Sequence, residues 1–158
     1  MKPYLFDATV APFNMRIELT PTDHAAILRV TFPSAEDVGS KAKRICFVEG
    51  EWSHDGELSL INGGKFIEGK STQVHQDRMI ITKFSLFIRL ESSDAVAVNR
   101  HHGDMICFQY KKEARSVIVR IATSLISSEQ AIGNLRRELP ATKDFDKVLQ
   151  ETKTIWNR

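Results

Sequence analysis

Glu51-Trp52-Ser53-His54-Asp55 sets an indole beside hydrogen-bonding groups, the combination with which proteins stack on a sugar ring and fix its orientation. Trp52, His54 and Asp55 are therefore the candidate substrate-binding residues. The plainer reading is a hairpin turn with the Trp lying over the end of a sheet, because Asp55-Gly56 suits the positive φ of a tight turn. His101-His102-Gly103-Asp104, with His75 and Asp77 placed in another loop, contains groups able to ligate divalent metals. Adjacent histidines on extended backbone point to opposite faces, so this stretch reads as a solvated loop and no metal ligand is assigned. No Gly-x-Ser-x-Gly elbow is present, and Asn62-Gly63-Gly64-Lys65 lacks phosphate-loop spacing, so no catalytic residue is assigned either. Lys41-Ala42-Lys43-Arg44 and Lys111-Lys112-Glu113-Ala114-Arg115 read as solvated strand ends rather than binding patches.

Composition narrows the partners. Twenty-two Lys and Arg against 20 Asp and Glu give a net charge of +2 over 158 residues, too little excess to build a nucleic-acid face. The longest apolar runs, Ala25 to Leu28 and Val117 to Val119, fall far short of the roughly 20 residues of a membrane span. Asp7 interrupts the N-terminus before a signal-peptide core can form, which points to a cytoplasmic chain if Met1 is native. Cys46 and Cys107 sit in apolar stretches without CxxC spacing and read as buried free thiols.

From residue 4 to residue 123 the hydrophobic period is two. Met15, Ile17 and Leu19 alternate with Arg16, Glu18 and Thr20. Ala26, Leu28, Val30 and Phe32 alternate with Ile27, Arg29 and Thr31. Ile80, Phe84, Leu86, Ile88 and Leu90 share a face opposite Lys83, Ser85 and Arg89. About nine strands result, divided by turn sequences such as Ala11-Pro12-Phe13-Asn14 and Asn62-Gly63. Short strands in succession without intervening helices predict an antiparallel β-sandwich over residues 1–125. The period then becomes helical over 126–158. Ser127 is the expected N-cap of a helix carrying Ala131, Leu135 and Leu139 and stopped by Pro140. A second helix begins near Asp144, with Phe145, Val148, Leu149, Thr152, Ile155 and Trp156 on one stripe.

The junction Val119 to Leu135, in particular Ser124-Leu125-Ile126-Ser127-Ser128-Glu129-Gln130-Ala131, then Phe145-Asp146 and Trp156-Asn157, resembles the end of the N-terminal domain of glycoside hydrolase family 92, the calcium-dependent exo-acting α-mannosidases. Met15 to Thr22, Ala25 to Pro33, and Lys83 to Leu90 are similar to strands of the same domain, in the same order. The resemblance implies a β-sandwich packed against a downstream (α/α) catalytic domain, with the sugar pocket at the seam. A Gly- and Pro-rich segment that the family carries upstream of the first strand is absent. Inverting hydrolysis needs two carboxylates about 6.5–9.5 Å apart. The family holds both of them, and its calcium ligands, in the domain beyond the matched region. The chain is thus expected to be a non-catalytic accessory domain without a cofactor of its own, calcium belonging to the full-length enzyme. Its expected partners are the catalytic domain, through Phe145, Leu149 and Trp156, and mannosides. The alternative is an autonomous carbohydrate-binding or protein-interaction sandwich.

Overall fold

Alternating sequence becomes paired strand wherever one face can be buried, and here the outcome is two antiparallel sheets. The computed structural model describes residues 2–11, 13–33, 43–48, 58–62, 66–77, 80–101 and 105–157. The larger sheet holds β1 (Phe6–Val10), β2 (Met15–Pro21), β3 (Ala25–Thr31), β5 (Leu58–Asn62), β6 (Phe66–Asp77), β7 (Ile80–Glu91) and β10 (Ser116–Ser124) in the order β1-β2-β3-β10-β7-β6-β5. The smaller holds β4 (Lys43–Val48), β8 (Ala97–His101) and β9 (Met105–Tyr110) in the order β4-β9-β8. Two helices follow, α1 (Ser128–Glu138) and α2 (Phe145–Trp156). The antiparallel sandwich followed by two helices is the expected class. The tenth strand among the described residues, β8, lacks a strong alternating pattern in the sequence.

The sheets meet through Val30, Ile67, Leu90, Val117 and Val119 on one side and Val98, Ile106, Phe108 and Tyr110 on the other. Register aligns the contributions: Val30 opposes Val117 and Leu28 opposes Val119. Phe47 and Phe108 meet edge to face at 6.0 Å, the geometry favoured by ring quadrupoles. The Tyr110 hydroxyl donates to Ser92, whose own hydroxyl donates to the Ile118 carbonyl at 2.6 Å. Burial pushes the Tyr110 phenol up to about 12.

The outer face of the large sheet carries a second core. Ala25, Ile27 and Ala122 pack with Leu135, Leu139, Phe145 and Val148 from the helices. Ile27, expected on the polar side of β3, is fully buried because that side is roofed by the helices. Asn14, between β1 and β2, takes φ of 48°, a conformation its short amide side chain tolerates.

Two expectations are corrected. Cys46 and Cys107 are not free thiols: they form a disulfide across 61 residues of sequence. β4 and β9 pair with Cys46 directly opposite Cys107, a neighbourhood that apolar flanking residues do not reveal. Lys43 is not a solvated strand end but nearly buried, its Nζ donating to the Ala114 carbonyl at 2.6 Å and lying 5.2 Å from the Phe32 ring centre.

Candidate functional site

The helical face carries the polar side chains that tie α1 and α2 to the large sheet. Ser127 caps α1, accepting from the Gln130 amide at 3.1 Å, and Asp144 caps α2, accepting from the Lys147 amide at 2.8 Å. Buried Asn134 fixes α1 to the sheet: its Nδ2 donates to the Thr123 carbonyl at 2.9 Å, while its Oδ1 accepts from Gln130 and Arg137. Thr152 ties α2 to β2 by donating to the Pro21 carbonyl at 3.0 Å.

Glu138, at the end of α1, holds the turn between β2 and β3. Its Oε2 accepts from the Thr22 hydroxyl at 2.6 Å and from the His24 amide at 2.9 Å, and its Oε1 lies 2.9 Å from His24 Nδ1. Burial works to raise this carboxyl, but the donors from Thr22, His24 and Arg137 outweigh it and hold the group below its ordinary value. Arg29 makes a second tie. It forks onto Glu18 at 2.7 and 2.9 Å, reaches Asp146 at the start of α2 at 3.1 Å, and stacks 4.1 Å from the centre of the Phe145 ring. Both sets of bonds join sheet to helix.

Two cavities open on this face. One, of about 460 Å³, lies between the β2–β3 turn and the end of α2, with Asp23, Lys143, Glu151, Ile155 and Trp156 around it. Lys143 and Glu151 pair at 2.8 Å. Ile155 and Trp156, at the end of the apolar stripe, are 64% and 58% exposed. Phe145, Val148 and Thr152, nearer the start of the helix, are the residues of the stripe that β2 and β3 cover. The other cavity, of about 490 Å³, lies between α1 and strands β7 and β10 and includes Arg120 and Arg136.

The predicted site residues lie only partly within the described residues. Trp52, His54 and Asp55 fall outside the described residues, as do His102 to Asp104. His75 and Asp77 belong to β6 rather than to a loop. Of the expected docking residues, Phe145 is 2% exposed inside the second core and Leu149 packs against it, whereas Trp156 faces outward. Leu125 and Ile126, exposed at the junction of β10 and α1, add apolar surface that the sequence did not single out. Among the described residues, no group of three or more His, Cys, Asp or Glu side chains is placed to hold a metal ion. Glu138, Arg120 and Arg136 went unnoticed because their roles depend on which strand lies beneath the helix.

An antiparallel sandwich with a helical pair sealed to its outer face is the class of domain these features define. The same fold occurs within solved glycoside hydrolases. The chain superposes on a family GH92 α-mannosidase from Bacteroides thetaiotaomicron over 97% of its length, with a TM-score of 0.70 and 13% identity. On a family GH92 inverting mannosidase from the same organism it superposes over 99% of its length, with a TM-score of 0.72 and 19% identity. The chain spans 23% and 22% of those two proteins. No family model matches the sequence. No curated protein matches it either.

Proposed function

We propose that this chain is the N-terminal accessory domain of an α-mannosidase acting on mannose-containing glycans, and that it supports packing of a downstream catalytic domain. The observation that carries this reading is superposition of nearly the whole chain on about a fifth of two GH92 mannosidases. The exposed Ile155 and Trp156, on a helix otherwise sealed to the sheet, supply a docking surface where the chain would run on into such a domain. In this reading the sandwich also contributes part of the wall of the sugar pocket. This reading places the calcium that the resemblance implies in the downstream domain, and it assigns no catalytic step to this chain.

The test is to express the chain together with the coding sequence that follows Arg158 and to assay mannose release from α-mannosides. The longer protein should release mannose, lose that activity on chelation and regain it with calcium, while the 158-residue chain alone releases none. A following region that folds but has no α-mannosidase activity, or a stop codon with no partner domain nearby, would overturn the proposal.

A further inference from the structure

The cavity between α1 and strands β7 and β10 holds positive charge that no carboxylate among the described residues neutralises. Arg120 projects from β10, where its register partner on β7 is Glu91. Glu91, the acid at this cavity, is already engaged by Arg89 at 2.7 and 2.8 Å. Arg120 uses Nη2 on two backbone carbonyls, those of Lys143 at 3.2 Å and Ala141 at 3.5 Å, and its Nε is buried without an acceptor. Arg136, in the last turn of α1, borders the same cavity. Neither arginine has a carboxylate partner among the described residues. Ser93 adds a hydroxyl at the rim, and Leu135 and Leu139 form an apolar wall.

A half-buried guanidinium with unused donors is costly, and a carboxylate supplies the charge-assisted acceptor that it lacks among the described residues. The volume of about 490 Å³ suits a small organic molecule rather than a bare ion. We infer that this cavity binds a small organic carboxylate, with the carboxylate between Arg120 and Arg136 and the apolar body against Leu135 and Leu139. This inference is independent of the mannosidase reading, since it uses neither the Trp156 end of the face nor any downstream domain.

Benzoate is a suitable probe, with benzamide as its neutral counterpart and sulfate as a bare anion. The side-chain Nε–H resonance of Arg120 is followed by NMR as each is added to the full chain. Benzoate should move this resonance saturably in the millimolar range and benzamide should not. Arg136→Gln lies on the exposed side of α1, should melt like wild type without ligand, and should bind benzoate roughly tenfold more weakly, as loss of one charge-assisted pair implies. Arg120→Lys should bind still more weakly, but because Arg120 also holds the loop between the helices, Arg136→Gln is the deciding variant. Equal binding of benzamide, unchanged benzoate affinity in Arg136→Gln, sulfate binding as tightly as benzoate, or no response to benzoate at tens of millimolar would each overturn the inference.

Discussion

Glu138 couples the attachment of α1 to pH. Its carboxyl sits below the ordinary value of 4.5 in the folded state. The sign follows from linkage: the bonds to Thr22 and His24 contribute stability at pH above that ordinary value, and the contribution is lost as pH falls through the lower folded value. Glu138→Gln should therefore cost roughly 1–3 kcal/mol at neutral pH. The difference from wild type should shrink on acidification below about pH 4.5, as read by thermal melts across pH. Cys46 and Cys107 give a second prediction. Opening a disulfide that closes 61 residues should cost about 4 kcal/mol in the chain-entropy account, measured by comparing the oxidised chain with Cys46→Ala/Cys107→Ala. Thiol titration of the oxidised, unfolded chain should find no free cysteine; two free thiols would contradict the pairing.

Among the elements, α1 and α2 were the most legible. Ser127 caps as its sequence context predicts, the second helix starts after Asp144, and Ala131, Leu135 and Leu139 are all buried at their intervals of four. Local sequence suffices here because a cap and a stripe are properties of neighbouring residues. The same logic failed for Ile27 and Lys43, whose surroundings come from elements distant in sequence. Two variants test this account of the helices. Gly133 lies inside α1, and a Cβ built there meets nothing within 4 Å, so Gly133→Ala should stabilise the chain by about 0.5–1 kcal/mol in denaturant titration. Leu139→Ala removes a buried side chain from the core between helix and sheet and should cost about 2–5 kcal/mol. A much smaller loss would mean that the helices are weakly attached.

At the scale of the whole molecule, two cores on opposite faces of one seven-stranded sheet make helices and sandwich a single packed body. Ile155 and Trp156 stand apart from both. Truncating them to Ala should change the melting of this chain by less than about 0.5 kcal/mol, since exposed side chains contribute little to folding. In the longer protein proposed above, the same change should loosen the catalytic domain, seen as faster proteolysis between domains and reduced mannose release. Loss of stability in this chain alone would instead place the two residues in its own core.

The amino-acid sequence by itself determined the alternation that makes strands, the caps and stripes that make helices, and the boundary where one period gives way to the other. Those features depend on residues within a few positions of one another. Tertiary structure decided what depends on pairing across the chain. It set Cys46 opposite Cys107, buried Ile27 under a helix, left Trp156 exposed, and brought Arg120 and Arg136 to one cavity after Glu91 had been taken by Arg89. The physical reason is that side-chain periodicity fixes which face a residue occupies, whereas the neighbour across that face is chosen by strand order and helix placement.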